Sequence, residues 1–275
     1  MTPDISIAVN EESDRHWRPA PAIRISFLLH AAGALPLAVN PEVWPWVAGI
    51  LAGNHLTLLA AVFWPRGRLL GPNLDRLPAS AVRRHEVCLT FDDGPEPEVT
   101  PRVLELLDRH QAKASFFCVG EKAAAYPEIV KEIARRGHSV ENHSYHHSCA
   151  FAFYGISRLR REVESAQAVL AGAAGRPPVF FRAPAGFRSP LLDFILATRG
   201  LRYVSWTRRG FDAVRGDPAQ VLARLNRGLA AGDVLLLHDN GPLVLGVLPA
   251  LLDELAARGL KSVSLPSACG DGSAA

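Results

Sequence analysis

Five short polar stretches in the later part of the chain carry the residue types that bind metal ions and transfer protons. These stretches contain Asp92-Asp93, His143 with His147, Arg182, Asp212, and His238-Asp239. One carboxylate and two imidazoles suit Zn²⁺ or another divalent cation and leave a coordination position for water. A second carboxylate could act as a base on metal-bound water, whose pKa the metal lowers to about 7, while a further histidine acts as the acid. These residue types together predict a hydrolase that acts on an acyl carbonyl.

Each stretch taken singly also has a structural explanation. Asp-Gly-Pro after a strand is a common turn signal, and Arg182 could pair with a surface carboxylate. His143 and His147 are four residues apart and would face the same way if their loop formed a helical turn. The argument for a common site is that all five stretches follow predicted strands.

The elements that position these residues are short apolar runs that alternate with segments of helical period after residue 85. The predicted strands are 87–91, 115–119, 139–141, 179–181, 203–206, 234–237 and 262–265. The predicted helices are 101–109, 126–136, 157–170, 190–198, 218–229 and 248–258. This alternation predicts an α/β domain with a parallel sheet, either open or closed into a barrel. Because the carboxyl ends of parallel strands meet at one face, the polar stretches should converge there.

The composition excludes several other classes of protein. The 275 residues are 48% hydrophobic and 21% charged, which allows a sizeable core. A net charge of +3 is too balanced for a nucleic-acid-binding surface, so no nucleic-acid partner is expected. The four cysteines have no CxxC spacing, which excludes a zinc ribbon and a thioredoxin-type motif. The sequence leaves the oligomeric state open.

Residues 25–64 form an apolar stretch that contains no lysine or arginine and a single acidic residue, Glu42. It divides into segments 25–39 and 43–64; the second is long enough to cross a bilayer, whereas the first is short. Tryptophans, which favour membrane interfaces, stand at the ends of the second segment as Trp44, Trp46 and Trp64. The stretch is predicted to be a helical membrane anchor, with a helical hairpin buried against the soluble domain as the alternative. A cleavable signal peptide fits poorly.

The remaining boundaries follow from composition. Residues 1–24 are a polar tail, 65–84 a linker rich in Pro, Gly and Arg, 85–266 the catalytic domain and 267–275 a flexible tail. Arginines flank the apolar stretch on both sides, as Arg15, Arg18 and Arg24 before it and Arg66, Arg68, Arg76, Arg83 and Arg84 after it. Since the turn at 40–42 has none, the positive-inside rule favours a two-pass hairpin with the catalytic domain in the cytoplasm.

Four motifs, in this order, resemble those of the NodB-type polysaccharide deacetylases, carbohydrate esterase family 4. They are Thr90-Phe91-Asp92-Asp93-Gly94-Pro95, His143-Ser144-x-x-His147, Arg182-x-Pro184-x-Gly186 and Leu236-x-His238-Asp239. The resemblance spans residues 85–265. It implies a distorted (β/α) barrel of NodB type, here preceded by the apolar segment, and metal-dependent removal of N-acetyl, sometimes O-acetyl, groups from sugars.

The resemblance also implies roles for the matched residues. Asp93, His143 and His147 resemble the ligands of a divalent metal. Zinc is the favoured ion, with cobalt, nickel or manganese as alternatives. Asp92 resembles the catalytic base, held in place by Arg182.

His238, on another strand, resembles the catalytic acid, and Asp212 could tether it. The backbone N–H of Ala185 would help to stabilise the oxyanion, a role that does not depend on the side chain. The residues implied to line the substrate pocket are Leu236, Pro184 and Trp206. Two aromatic residues usual in the family are replaced by Ala185 and Ala213, so the pocket should be wider or differently walled.

Three functions follow. The favoured one is metal-dependent deacetylation of an N-acetylated sugar or polysaccharide. The apolar N-terminal stretch raises a second, a deacylase or deformylase that acts on a lipid-linked amino sugar at the membrane face. The third, an inactive sugar-binding module, is disfavoured because the catalytic Asp and His positions are filled. A cytoplasmic site would favour a lipid-linked or precursor sugar, and an external site would favour wall polysaccharide.

Overall fold

The computed structural model of the chain describes residues 17–213 and 216–270. Arg15 and parts of the predicted polar and flexible tails, 1–16 and 271–275, lie outside the described residues. The strands within the described ranges are β1 Glu86–Asp92, β2 Ala114–Cys118, β3 Ser139–Asn142, β4 Phe180–Phe181, β5 Arg202–Tyr203, β6 Arg208–Arg209, β7 Val234–His238 and β8 Lys261–Ser262. The helices are α1 Pro21–Val39, α2 Trp44–Val62, α3 Ala79–Arg83, α4 Thr100–Arg109, α5 Gly120–Ala125, α6 Pro127–Arg135, α7 Ile156–Ala174, α8 Leu192–Thr198, α9 Pro218–Asn226, α10 Leu243–Ala257 and α11 Leu265–Cys269.

The strands form one curled sheet in the order β5-β4-β3-β2-β1-β7-β6, with β8 paired to β1. Every pairing between these strands is parallel, which confirms the predicted α/β class. The curled sheet is the predicted distorted barrel. The sequence did not predict β6, because a strand of two arginines has no apolar pattern.

The helices pack on the sheet through the apolar faces that the sequence predicts. In α4 the buried positions Val103, Leu104 and Leu107 repeat at three- and four-residue spacing. The predicted helix 248–258 begins earlier, at Leu243, because Val244 and Val247 also pack into the core. The central strands are buried on both faces, as expected for parallel strands covered by helices.

The segment 65–84, predicted to be a linker, instead packs against the sheet. It fills the gap between the two ends of the strand order, since Leu74 forms a bridge with Val204 and Arg76 forms one with Asp233. Buried leucine and alanine side chains fix it in place, namely Leu70, Leu77 and Ala81. The high content of proline and glycine is typical of a linker, and composition gives no indication that these few apolar residues are buried. Composition alone therefore predicts a linker here.

Helices α1 and α2 form a hairpin outside the sheet. The first begins at Pro21, ahead of the predicted start at residue 25, so it has 19 residues and a length of about 28 Å. The expectation that the first segment is short is therefore corrected. Both Pro21–Val39 and Pro41–Val62 are long and apolar enough to cross a membrane, with mean hydropathies of 1.6 and 1.4. Only 0% and 17% of these spans is buried, which disfavours the alternative of a hairpin buried against the domain.

Candidate active site

The three predicted metal ligands meet where β1 and β3 end. Asp93 follows β1, and His143 follows β3. The Oδ1 atom of Asp93 lies 2.9 Å from Nε2 of His147 and 3.3 Å from Nε2 of His143. The three ligand atoms all lie within 4.8 Å of one another. A tetrahedral ion at about 2.0–2.2 Å from each atom would hold them roughly 3.3–3.6 Å apart, so a small adjustment of the set would accommodate a divalent cation.

The loop that carries the two histidines does not form the helical turn that their spacing allowed. Ser144 and His147 have φ values of 63° and 52°, in the left-handed region that only a tightly held non-glycine residue adopts. Buried Glu162 of α7 holds this loop by accepting hydrogen bonds from the backbone N–H groups of Tyr145 and His146. Tertiary contacts therefore bring His143 and His147 together.

Neighbouring groups fix the orientation of the ligands. Nδ1 of His143 donates to the carbonyl oxygen of Arg182 at 2.8 Å, which leaves Nε2 directed at Asp93. Nδ2 of Asn240 donates to Oδ2 of Asp93 at 2.9 Å. Burial by itself would raise the pKa of Asp93, but hydrogen bonds from His143 and His147 hold it well below its usual value. The carboxylate is therefore ionised, as a metal ligand must be, and its Oδ1 faces both imidazole Nε2 atoms.

Asp92 and Arg182 form a buried ion pair beside the ligand set. Nη1 of Arg182 donates to Oδ1 of Asp92 at 2.6 Å, and Nη2 donates to the carbonyl oxygen of Ser205 at 2.9 Å. The guanidinium, fully buried, stacks 4.1 Å from the centre of the Phe117 ring. Among the described residues, Oδ2 of Asp92 accepts no hydrogen bond; its neighbour is Nε2 of His143, 3.7 Å away. One oxygen of this carboxylate is thus held while the other remains available to accept a proton.

His238 and Asp212 form a second pair on the adjacent strand. In the β1–β7 register His238 stands opposite Asp92. Nδ1 of His238 donates to Oδ1 of Asp212 at 2.9 Å, and the backbone N–H of His238 donates to Oδ2 at 2.8 Å. Burial alone would lower the pKa of His238, but the hydrogen bond to Asp212 and the charges of Asp92, Asp212 and Asp93 raise it. The imidazole therefore stays protonated to higher pH and keeps Nε2 free.

The turn after β4 presents the Ala185 N–H in an unusual backbone conformation. Ala185 has φ 56° and ψ 4°, and its N–H has no hydrogen-bond partner among residues 17–213 and 216–270. Gly186 follows with φ 78°, and a Cβ there would collide with the ring of Trp206. The pocket residues predicted from the sequence, Pro184, Trp206 and Leu236, are all buried. The turn therefore leaves a backbone donor unpaired beside these apolar walls.

Left-handed backbone conformations cluster at this face. Of the seven non-glycine residues with positive φ in the described ranges, five belong to the site or adjoin it: Asp93, Ser144, His147, Ala185 and Phe211. Such conformations each cost about 1–3 kcal/mol and persist where the surrounding contacts enforce them. The residue types give no signal of this feature.

Several supporting residues were missed by the sequence reasoning. Asn240 and Glu162 are two of them, and Lys122 is a third, since its Nζ donates to the carbonyl oxygen of Asp93 at 2.7 Å. Asn240 comes directly after His238-Asp239, so its place in the sequence could have indicated that it lies at the site. Asp239 itself turns away from the ligands: its Oδ2 accepts a hydrogen bond from Thr100 at 2.6 Å.

The chain resembles known deacetylases in sequence. The polysaccharide deacetylase family profile matches residues 79–204. A peptidoglycan-N-acetylglucosamine deacetylase of Bacillus cereus is 35% identical over 190 residues, which make up 66% of this chain and 67% of that protein. A chitooligosaccharide deacetylase of Azorhizobium caulinodans is 36% identical over 159 residues, which make up 57% of this chain and 74% of that protein.

The fold also resembles that of a known deacetylase. The crystal structure of a peptidoglycan N-acetylglucosamine deacetylase in complex with 4-naphthalen-1-yl-N-oxidanyl-benzamide superposes with a TM-score of 0.67 and 30% identity. The superposition covers 72% of this chain and 92% of that one. The family match begins at residue 79, after the end of α2.

Proposed function

We propose that this chain, which belongs to the polysaccharide deacetylase family, carbohydrate esterase family 4, is a metal-dependent deacetylase of an N-acetylated sugar or polysaccharide. The observation that carries this proposal is the candidate ligand set Asp93, His143 and His147, with Asp92 next to it and His238 opposite Asp92 on the adjacent strand. The names of the similar deacetylases, which refer to peptidoglycan and chitooligosaccharide, support N-acetylglucosamine as the sugar unit.

Asp93, His143 and His147 would hold the metal ion. A bound divalent cation would polarise the acyl carbonyl and make water more acidic. The donor set of one carboxylate and two imidazoles favours zinc, with cobalt, nickel or manganese as alternatives.

Asp92 would act as the general base. Its Oδ2 would take a proton from the attacking water, since Oδ1 is already bound by Arg182. The hydrogen bonds that Arg182 also makes to Thr90 and Ser205 would keep the carboxylate in one orientation through the reaction.

His238 would act as the general acid on the leaving nitrogen. With Nδ1 held by Asp212, its Nε2 would give a proton to the amine as the carbon–nitrogen bond breaks, releasing acetate and a free amino sugar. The unpaired N–H of Ala185 would donate to the oxyanion that forms when water adds to the carbonyl carbon.

Leu236, Pro184 and Trp206 would form the walls of the acyl pocket. All three are buried, and Trp206 lies against both Arg182 and Gly186 of the 184–186 turn, which supports this assignment. A cavity of about 520 Å³ lies next to Asp212, with Ala213 and Asn240 among its lining residues. This space lies at the position where Ala213 replaces the family's usual tryptophan.

Helices α1 and α2 would anchor the protein in a membrane as a two-pass hairpin, with both outer ends on the side of the catalytic domain. Arg18, Arg24, Arg66 and Arg68 flank the hairpin at this end, whereas the turn at 40–43 has no basic residue. This distribution supports a cytoplasmic domain. Alkaline phosphatase fused to the C-terminus should be inactive and a fluorescent protein should be bright; the reverse pattern would place the domain outside.

The function is tested with the purified full-length chain. Metal is removed with a chelator and zinc, cobalt, nickel or manganese is returned, and acetate and formate release from chitooligosaccharides are measured. Restored acetate release that is lost in Asp92→Asn, but kept in the surface control Asp253→Asn, would support the proposal. Sugar binding without release of either acid by any metal form would indicate a binding module, and release of formate alone would indicate a deformylase.

A further inference from the structure

The loops that form the catalytic site rest directly on the end of the second membrane helix. The backbone N–H of Arg188 donates to the carbonyl oxygen of Val62, in the last turn of α2. The ring of Phe63 packs edge-on against Phe187, with 5.0 Å between the centroids. A small buried cluster completes this contact and consists of Ala61, Val62, Leu70 and Ala152, with Phe187 packed against it. The end of α2 therefore contacts directly the residues that follow the Ala185 turn.

The start of the hairpin is attached to the same part of the domain. Nε1 of Trp17, four residues before α1, donates to Oδ2 of Asp193 at 3.1 Å. The Trp17 ring also packs edge-on against Phe194 at 5.1 Å. Asp193 in turn pairs with Arg188 at 3.0 Å. Both ends of the hairpin are therefore linked to the segment that follows β4, so the domain contacts the hairpin at two separate places.

The surface around the helix ends has the composition of a membrane interface. Large apolar side chains are exposed there, with exposed fractions of 49% for Phe63, 60% for Trp64, 43% for Leu69 and 59% for Phe153. We call these four residues the apolar rim. Arg66 and Arg68 lie in the same segment, where they would meet anionic lipid headgroups. Aromatic side chains next to basic ones are typical of the boundary between lipid and water.

These contacts bound the distance from the membrane to the reacting groups. Ala185 lies two residues before Phe187, so its N–H is within roughly 15 Å of the end of α2. His147 lies six residues before the rim residue Phe153. The polar layer on each side of a bilayer is about 5–8 Å deep. The reacting groups therefore lie no more than roughly 15 Å from the end of the membrane helix, within the headgroup layer or just beyond it. A sugar joined to a lipid through phosphate can reach this height.

We propose that the apolar rim seats the catalytic face on the bilayer and that the substrate is an N-acylated amino sugar carried on a membrane lipid. This inference rests on the proposed deacylase function and names its substrate class. A long polysaccharide would have to approach such a site through the gap beside the bilayer, whereas a lipid carrier brings its sugar to that height.

The first test measures location and needs no activity. Cys149, an exposed residue two positions after His147, is labelled with a small fluorophore in full-length protein carrying Cys269→Ser, while Cys88 and Cys118 are buried. The protein is reconstituted in vesicles of phosphatidylcholine and phosphatidylglycerol that contain a headgroup-labelled quenching lipid. The control protein carries Cys149→Ser, Cys269→Ser and Val82→Cys, and the fluorophore is attached at position 82. Residue 82 lies near the start of β1, at the opposite end of the strands from the site. We expect quenching at Cys149 at least threefold stronger than at residue 82; equal quenching would overturn the seated orientation.

The second test compares substrates. Zinc-loaded protein in the same vesicles is given soluble chitotriose or polyprenyl-diphosphate-linked N-acetylglucosamine. Phe153→Asp with Leu69→Asp should lower kcat/KM for the lipid-linked sugar at least tenfold and leave chitotriose hydrolysis unchanged, while the control Val82→Asp alters neither. A wild-type preference for chitotriose, or an equal rate in the rim variant on lipid-linked sugar, would overturn the substrate class. Absence of acid release from both substrates by the wild type would count against the deacylase function itself.

Discussion

Two buried aspartates stand at opposite ends of the adjacent strands β1 and β7, and each pairs with arginine. Asp92, at the carboxyl end of β1, receives one Arg182 nitrogen on Oδ1. Asp233, just before β7 begins, receives Arg76 on Oδ1 at 2.7 Å and Arg208 on Oδ2 at 2.8 Å. The first pair leaves one carboxylate oxygen open beside a histidine, and the second leaves neither oxygen open.

The comparison shows that burial and charge do not by themselves mark a functional carboxylate. The Asp233 group also accepts the Ala230 N–H, so its hydrogen-bonding capacity is used to join β7 to its neighbours. The Asp92 group keeps Oδ2 without a hydrogen-bond donor among the described residues, 3.7 Å from Nε2 of His143. Parallel sheets place such open groups at the carboxyl ends of strands, where loops can surround a substrate. We therefore expect substitutions at one end to alter turnover and at the other to alter stability.

The largest expected effect is at Asp93. Asp93→Ala should abolish both metal binding and deacetylation, because two histidines alone rarely hold zinc against solvent. Bound metal is measured by elemental analysis after dialysis, and acid release is measured in parallel. A variant that retained metal would remove Asp93 from the ligand set.

Asp92→Asn should lower kcat by about 10²–10⁴-fold and keep the metal, as expected for the loss of a general base. Arg182→Met should also cost activity without removing metal, and much of that cost should disappear in the double variant, since Arg182 acts through Asp92. Additive losses would show that the two residues work independently. A loss of metal from Asp92→Asn would reverse the assignment of the adjacent aspartates.

A smaller effect is expected in the pH profile. Since Asp212 and the other carboxylates raise the pKa of His238, the acid should remain protonated above its usual pKa of about 6.5, and activity should fall only at higher pH. Asp212→Asn removes one of these charges, so the alkaline limb of kcat/KM should move to lower pH. An alkaline limb at the same pH in both proteins would argue against His238 as the titrating acid.

The smallest effect on turnover is expected at Asp233. Asp233→Asn should leave kcat within twofold of the wild type and lower the free energy of unfolding by about 1–3 kcal/mol. The neutral amide keeps a single acceptor oxygen, so one arginine hydrogen bond is lost at this buried position and the other no longer has an ionised acceptor. Denaturant unfolding in detergent and steady-state kinetics check the two parts. A large fall in kcat at unchanged stability would contradict the division between the two ends of the β1–β7 pair.

The sequence by itself determined which side chains could meet. Asp93, His143, Arg182 and His238 each follow an apolar run, and parallel strands must bring such positions to one face, so the convergence followed from the alternation of strands and helices. The two apolar helices were also predictable, because a long apolar stretch without basic residues is typical of helices that cross a membrane. Periodicity and composition are local properties that can be read along the chain.

Only the tertiary structure decided how those side chains are held. The left-handed backbone at Ser144, His147 and Ala185 is unfavourable for these residue types and exists because contacts from distant segments enforce it, such as those of Glu162 with the histidine loop. The packing of 65–84 across the gap in the sheet likewise depends on partners more than a hundred residues away. Spacing along the chain predicts the residues of the site, but long-range packing sets their geometry and seats the site against the end of α2.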